Sequence, residues 1–129
     1  MMTTKPKQIL LLDDEDSLRG TVALLLKSKG YDTHELALKT DACEWLKHNQ
    51  VDLIISDIRS PDMDGLTFLK WMRKNESTRN VLFIFLTAGN DLKSALEARK
   101  LRANDYIVKP FDTAELLKSV EEVLSGKRV

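Results

Sequence analysis

Short apolar runs separated by amphipathic segments are the feature that most constrains the fold of this chain. Four runs rich in Leu, Ile, Val and Phe lack the alternation of apolar and polar residues that a half-exposed strand shows, and they cover residues 9–12, 53–55, 81–86 and 106–108. Strands of this kind are buried on both faces, as in a parallel sheet. Residues 31–36 alternate weakly and carry several polar side chains, which is typical of an edge strand.

Segments with a helical spacing of apolar residues follow the strands. The first four lie at residues 17–28, around Trp45, and at residues 65–74 and 91–101. Asp16 is a candidate N-cap of the first helix, and Gly30 suits its C-terminal end because glycine readily adopts left-handed backbone angles. The last helix is predicted to begin at a capping box formed by Asp112 and Glu115 and to end at Gly126.

The repeated order of strand and helix predicts one parallel sheet with helices on both faces, joined by right-handed crossovers. A chain of 129 residues is long enough to bury one core of this type. We therefore expect a single α/β domain over residues 7–125, with an N-terminal tail at residues 1–6 and a C-terminal tail at residues 126–129.

Composition and charge argue against several classes of protein. The 20 Lys and Arg residues balance the 20 Asp and Glu residues, so the chain as a whole is not drawn to nucleic acid or to an anionic membrane surface. The apolar runs are too short to span a bilayer, and the N-terminus lacks a signal-peptide pattern. A single cysteine, Cys43, cannot form an intrachain disulfide and fits a reducing compartment. We therefore expect a cytoplasmic protein.

Polar residues stand where the predicted strands end. They are Asp13 and Asp14 after the first strand, Asp57 after the third, Thr87 after the fourth and Lys109 after the fifth. Ligands of open parallel sheets bind outside the carboxyl ends of the strands. Each residue alone has a simpler interpretation, as a helix N-cap or a solvated surface charge. Together they favour a site, because capping explains neither a pair of adjacent acids nor a lysine directly before a proline.

These residue types indicate phosphoryl chemistry assisted by a divalent cation. Three carboxylates that crowd together repel one another unless a cation neutralises them. Mg²⁺ is the natural candidate, because it prefers oxygen ligands and is often held by one or two carboxylates together with a phosphoryl oxygen. Asp57 can then act as a nucleophile that forms an acyl phosphate. Lys109 and the Thr87 hydroxyl can bind oxygens of the transferred group.

The motifs resemble those of bacterial response regulator receiver domains over residues 7–124. The matching segments are LLDDE at residues 11–15, Asp57 with PDMDG at residues 61–65, TA at residues 87–88 and YIVKPF at residues 106–111. This resemblance implies a three-layer, flavodoxin-like, doubly wound sheet of five parallel strands in the order 2-1-3-4-5, with five helices. It also implies a role in two-component signalling and not the enzymatic turnover of a free substrate.

The resemblance carries defined roles to the matching site residues. Asp57 would accept a phosphoryl group from a histidine kinase or a histidine phosphotransfer protein, in a reaction that requires Mg²⁺. Asp14 would bind the metal directly and Asp13 would hold it through water. Asp57 itself and the backbone carbonyl of Arg59 would complete the metal ligands that the protein supplies.

The resemblance further implies a conformational switch. Thr87 would move toward the phosphoryl group and Tyr106 would follow it. This movement would change the face made by the fourth helix, fifth strand and fifth helix, and with it the binding of an unknown protein target. The Lys109–Pro110 peptide bond is expected to be cis. Neither nucleic acid nor a membrane is expected as a direct partner, and a phosphorylation-dependent dimer is left open.

Several positions depart from the usual receiver pattern. Arg59 stands where a smaller or neutral residue is usual, Ser60 where an apolar residue is usual, and Arg102 where a glycine is common. We expect Arg59 to lie across the mouth of the site and to modulate access of the hydrolytic water, while Gly89 leaves one side open. Arg102 is expected to strain or reshape its turn.

Two alternatives stay open. Magnesium-dependent phosphatases also place an aspartyl nucleophile on a Rossmann-like sheet, but they usually carry Asp-x-Asp after the first strand, whereas Asp13 and Asp14 are adjacent here. A degenerate receiver would act as a docking module that does not depend on phosphorylation. The complete set of acids, threonine and lysine argues against that alternative.

Overall fold

The computed structural model describes residues 5–88 and 92–127. The strands are β1 (Gln8–Leu12), β2 (Asp32–Leu36), β3 (Leu53–Asp57), β4 (Leu82–Ala88) and β5 (Asp105–Lys109). The helices are α1 (Asp16–Ser28), α2 (Lys39–Leu46), α3 (Gly65–Lys74), α4 (Leu92–Lys100) and α5 (Thr113–Leu124). Every strand and helix predicted from the sequence is present. Asp91, predicted as the first residue of α4, lies outside the described residues.

The five strands pair in parallel in the order β2-β1-β3-β4-β5. Alternate residues of β1 face opposite sides of this sheet. Ile9 and Leu11 pack with residues of α1 and α5, whereas Leu10 and Leu12 pack with residues of α2, α3 and α4. The sheet is therefore covered on both faces, which confirms the predicted three-layer α/β class and the strand order.

Burial on both faces explains why the central strands lack alternation. Ile54 and Ile55 are neighbours in β3 that point to opposite faces, and both are fully buried. The edge strand β2 differs, because Asp32 and Glu35 are exposed to solvent. The prediction that residues 106–108 are buried on both faces is wrong, because β5 is the other edge strand and Val108 is 42% exposed. Among the described residues, no helix is both long enough and apolar enough to cross a membrane.

The prediction of Asp112 as the N-cap residue of α5 is confirmed, and the prediction of Asp16 as the N-cap residue of α1 is wrong. The Asp112 carboxylate accepts a hydrogen bond from an amide in the first turn of α5 at 3.1 Å. Helix α1 has Glu15 at its N-cap instead, and Asp16 is its first residue, where it pairs with Arg19 at 2.9 Å. The physical reason lies in Asp13, whose carboxylate accepts the Glu15 amide at 2.9 Å and closes the turn one residue early.

The turn between α4 and β5 is strained, as predicted. Arg102 has a φ of 66°, and it is the only non-glycine residue with a positive φ in the described part of the chain. Left-handed angles cost a residue that carries a Cβ roughly 1–2 kcal/mol. Arg73 holds this turn, because its guanidinium donates to the carbonyl oxygens of Leu101 at 3.0 Å and Arg102 at 3.1 Å. These contacts involve the backbone of the turn and are independent of the side chain at position 102.

Replacement of Arg102 by glycine is expected to raise the free energy of unfolding by about 1 kcal/mol, because glycine adopts left-handed angles without strain. Arg102→Ala is the matched control. It removes the same guanidinium but keeps the Cβ, so it should give no such gain. Urea denaturation of the native protein and the two variants measures the difference. Equal stability of the two variants would contradict the assignment of strain to this backbone.

Candidate functional site

The carboxyl ends of the strands surround one cavity of about 190 Å³. Its lining residues come from the segments that follow β1 and β3 and from the ends of β4 and β5, and they are Asp13, Asp14, Glu15, Asp57, Ile58, Arg59, Leu86, Thr87, Ala88 and Lys109. The sheet thus brings together the acids, the threonine and the lysine that sequence analysis predicted. The parallel register explains this, because Asp57 is the last residue of β3 and Lys109 is the last residue of β5.

Three carboxylates form a compact cluster on one side of the cavity. Asp13, Asp14 and Asp57 each offer an oxygen within 4.8 Å of the other two. Asp13 and Asp57 are buried and Asp14 is exposed. Two oxygens bound to one Mg²⁺ lie up to about 4.2 Å apart, so small side-chain adjustments would let this cluster share an ion. The donor set fits a hard divalent cation, because every side-chain ligand it offers is a carboxylate oxygen.

Asp13 is held in place by its own hydrogen bonds. One carboxylate oxygen accepts the Glu15 amide at 2.9 Å and the other accepts the Lys109 ammonium at 3.1 Å. The Arg19 guanidinium donates to the Asp13 carbonyl at 2.7 Å. Lys109 therefore neutralises Asp13 in this structure and leaves the charge of Asp57 to another group. The Lys109–Pro110 peptide bond is cis, as predicted.

Asp57 pairs with a residue that sequence analysis missed. Lys39, the first residue of α2, is buried with 1% of its surface exposed. Its ammonium donates to Asp57 Oδ1 at 2.7 Å and to the Ser60 hydroxyl at 2.6 Å. The weak signals were the position of Lys39 after β2, whose carboxyl end lies on the same edge of the sheet, and the hydroxyl of Ser60 at a usually apolar position. Ser60, which departs from the usual apolar residue at this position, thus accepts a hydrogen bond from Lys39.

Burial shapes the acidity of Asp57. Desolvation raises the pKa of its carboxyl group to about 6, and the nearby Asp13 and Asp14 act in the same direction. The Lys39 ammonium opposes this rise, because it stabilises the charged form. Asp57 is therefore a more basic carboxylate than an exposed aspartate.

The loop after β3 depends on a glycine. The Gly65 amide donates to the Ile58 carbonyl at 2.6 Å and closes the loop that follows Asp57. A Cβ at position 65 would lie 2.7 Å from that same carbonyl oxygen and 3.0 Å from the carbonyl oxygen of Asp57. Glycine is required here for a close approach of two backbone segments. The conformation of this loop in turn sets the positions of Arg59 and Ser60.

The remaining predicted residues lie at different distances from the acids. Thr87 is buried beside Asp57 in the cavity wall, and its hydroxyl donates to the Ala88 carbonyl at 3.3 Å. Arg59 is exposed and lines the same cavity. Tyr106 is half-buried and packs on the face of the sheet that α2, α3 and α4 cover, away from the cavity lining. Gly89, a predicted modulating residue, lies outside the described residues.

Comparison with known proteins identifies a matching domain family and related sequences. The sequence profile of the response regulator receiver domain matches residues 9–121. The chain is 36% identical over 121 residues to the regulatory protein AtoC of Escherichia coli (strain K12), covering 94% of this chain and 26% of that protein. It is 34% identical over 120 residues to the DNA-binding transcriptional regulator NtrC of Proteus hauseri, covering 93% of this chain and 25% of that protein. The chain thus spans about a quarter of the length of these two relatives.

Solved structures agree with this result. The chemotaxis response regulator CheY4 of Vibrio cholerae superimposes with a TM-score of 0.85 at 29% identity, covering 92% of this chain and 98% of that one. A response regulator of Chloroflexus aurantiacus J-10-fl, described as putative, superimposes with a TM-score of 0.88 at 31% identity, covering 94% of this chain and 99% of that one. Unlike AtoC and NtrC, these two structures match this chain over nearly their whole length.

The raised pKa predicts an unusual pH dependence for the metal-free protein. Carboxyl-carbon NMR should show Asp57 titrating near pH 6, because burial favours the neutral acid. A neutral carboxyl group is a poor cation ligand, so Mg²⁺ affinity should fall as the pH drops through about 6. The Lys39→Met variant should titrate at still higher pH, because the ammonium that favours the carboxylate is gone. A native midpoint near 4, the ordinary value for aspartate, would contradict this account.

Proposed function

Because this chain belongs to the response regulator receiver domain family of two-component signalling, we propose that Asp57 accepts one phosphoryl group from a histidine kinase or a histidine phosphotransfer protein. The observation that carries this proposal is the position of Asp57, a buried carboxylate with Asp13 and Asp14 within 4.8 Å, beside Thr87 and Lys109 in the same cavity wall. The reaction needs Mg²⁺, and its result is a change in a protein-binding face.

The metal ligands would be Asp13, Asp14, Asp57 and the backbone carbonyl of Arg59. Mg²⁺, when bound there, supplies positive charge to the phosphoryl oxygens. A carboxylate oxygen of Asp57 attacks the phosphorus of the donor phosphohistidine, and the imidazole leaves as the acyl phosphate forms. The raised pKa of Asp57 makes that oxygen a better nucleophile than an exposed aspartate would offer.

Lys109 and Thr87 bind the new group after transfer. The Lys109 side chain is 28% exposed and reaches Asp13 across the cavity, so a modest rotation brings its ammonium to a phosphoryl oxygen. The Thr87 hydroxyl makes only a long bond of 3.3 Å with a neighbouring carbonyl and can turn to donate to the phosphoryl group. Two charge-assisted hydrogen bonds together contribute about 3–6 kcal/mol. A shift of a switch from about 1:99 to 99:1 takes some 5.5 kcal/mol, so these contacts are of sufficient size.

The output face is made by α4, β5 and α5. Leu96 on α4 is 55% exposed and Val108 on β5 is 42% exposed, which gives this face apolar side chains suited to a protein partner. Tyr106 lies beside Leu96 in the wall of a groove between α4 and β5. A movement of Thr87 toward the phosphoryl group opens space behind it, and Tyr106 turns into that space.

Other properties follow from this assignment. The receiver domain comprises residues 7–125. The protein works in the cytoplasm, performs no turnover of a free substrate, and contacts neither nucleic acid nor a membrane directly. Phosphorylation is also a candidate trigger for dimerisation through the output face. A degenerate receiver that only docks is disfavoured, since the acids, Thr87 and Lys109 all line one cavity.

Incubation with acetyl phosphate and Mg²⁺ should add the mass of one phosphoryl group to the native protein, because Asp57 is positioned as a nucleophile. Intact-mass spectrometry measures the adduct. The Asp57→Asn variant should gain nothing, and removal of Mg²⁺ by EDTA should reduce labelling of the native protein at least about tenfold. Labelling of Asp57→Asn to the native extent would place the acceptor elsewhere, and steady release of phosphate from a small phosphomonoester would instead indicate a phosphatase.

The Tyr106→Ala variant should lose most of the response of α4 and α5 to phosphorylation, because no aromatic ring is left to move behind Thr87. The response is measured as phosphorylation-induced changes in backbone amide NMR shifts. Tyr106→Phe is the matched control, since it retains the ring and should retain most of the response. Native-like shift changes in Tyr106→Ala would exclude the proposed switch.

Arg59 is proposed to slow hydrolysis of the acyl phosphate. It is exposed and lines the cavity, where its guanidinium can pair with the phosphoryl group and obstruct the attacking water. The phosphoryl group on Arg59→Asn should therefore be lost several-fold faster than on the native protein, as followed by the decay of the intact-mass adduct. Arg99→Asn on α4 removes the same charge from an exposed site away from the cavity. Equal lifetimes of native and Arg59→Asn adducts would remove Arg59 from the mechanism.

A further inference from the structure

The Lys39–Asp57 pair is the most deeply buried ion pair among the described residues. The two side chains are 1% and 7% exposed, and the ammonium lies 2.7 Å from Asp57 Oδ1. Burial of an ammonium is costly unless it is paired and hydrogen-bonded, and Lys39 meets both conditions through Asp57 and Ser60. The pair is therefore a built feature of the fold.

Lys39 approaches Asp57 from outside the cavity. It is not among the described residues that line the cavity, whereas Asp57, Thr87 and Lys109 are. Its partner Ser60 belongs to the loop after β3. Lys39 thus adds a positive charge to the acceptor carboxylate without filling the space where a cation and a phosphoryl group would bind.

The loop after β3 fixes the start of α2, and with it Lys39. Helix α2 has Leu38 at its N-cap, whose side chain cannot accept a hydrogen bond. Asp62 from the loop supplies the missing acceptor, because its Oδ2 accepts the Thr40 amide at 2.9 Å. Its Oδ1 accepts the Ser60 hydroxyl at 3.0 Å, and Ser60 in turn accepts Lys39. The ammonium is therefore held by a connected network and not by Asp57 alone.

Charge at the site is already largely balanced in the metal-free protein. Three carboxylates face two ammonium groups, with Lys109 on Asp13 and Lys39 on Asp57. A Mg²⁺ bound to Asp57 Oδ1, itself 2.7 Å from the Lys39 nitrogen, would lie no more than about 4.8 Å from that nitrogen. The two positive charges would repel one another in a poorly solvated environment, where such repulsion is strong.

We propose that Lys39 is a positioning residue that holds the acceptor carboxylate from behind and keeps the affinity of the unphosphorylated receiver for Mg²⁺ low. This inference rests on the proposed role of Asp57 as a magnesium-dependent acceptor. Phosphorylation changes the charge balance of the site, because an acyl phosphate carries more negative charge than the carboxylate. The phosphorylated site can therefore pair with Mg²⁺, Lys39 and Lys109 together. Lys39 would therefore weaken Mg²⁺ binding before phosphoryl transfer more than it weakens Mg²⁺ binding after transfer.

Isothermal titration of metal-free protein with MgCl₂ tests the proposal without measuring any activity. The titration is run at one pH above the Asp57 midpoints of the native protein and of each Lys39 variant, as found by carboxyl-carbon NMR, so that Asp57 is ionised in every protein compared. Lys39→Met removes the charge and retains an unbranched side chain, and it should tighten Mg²⁺ binding at least about tenfold. Lys47→Met is the matched control. Lys47 lies at the C-terminal end of α2, is 60% exposed and pairs with Glu44, so its loss should leave the affinity unchanged.

A second variant guards against misfolding. Lys39→Gln keeps N–H donors for Asp57 and Ser60 but carries no charge, and circular dichroism establishes which variants are folded before titration. Tighter binding by either folded Lys39 variant supports the proposal. Equal affinity of the native protein and the folded Lys39 variants overturns it while leaving the metal site intact. Absence of Mg²⁺ binding in native protein and variants alike would instead overturn the magnesium requirement of the proposed function.

Discussion

The burial of negative charge at the carboxyl edge of the sheet is the constraint on which this site depends. Asp13 and Asp57 are 2% and 5% exposed, and their charges would destabilise the fold if left unpaired. Two lysines from distant parts of the chain neutralise them, Lys109 from the end of β5 and Lys39 from the start of α2. The site is therefore assembled by tertiary contacts, since neither lysine is near its acid in sequence.

The parallel sheet makes this assembly possible. Because all strands run in one direction, their C-terminal ends meet at one edge of the sheet, and apolar side chains of both faces hold the strands in register. Local chemistry then refines the positions. Gly65 allows a backbone approach of 2.6 Å that closes the loop after Asp57, and Asp13 closes the turn before α1 with a hydrogen bond to Glu15.

Sequence patterns predicted the site residues whose positions are set by the ends of strands. They missed Lys39, whose place in the site depends on how far its side chain extends. Asp57 and Lys109 were predictable, because each lies at the C-terminal end of a strand and the parallel sheet brings those ends to one edge. The pairing of Lys39 with Asp57 spans 18 residues and two elements, and no local periodicity reports such a contact. The error at Asp16 has a similar origin, since a preference for N-cap residues cannot show that Asp13 has already closed the turn.

Lys39 and Lys109 differ in how tightly their side chains are held, and this difference indicates different roles. The Lys39 side chain is 1% exposed and is tied to Asp57 and Ser60, so it cannot leave without uncovering a buried charge. Lys109 is 28% exposed and pairs with Asp13 at 3.1 Å. A partly exposed contact at the cavity wall is more easily exchanged for a phosphoryl oxygen of higher charge than the buried Lys39 pair would be. Lys39 therefore fits a fixed element of the resting site, whereas Lys109 fits the group that responds to phosphorylation.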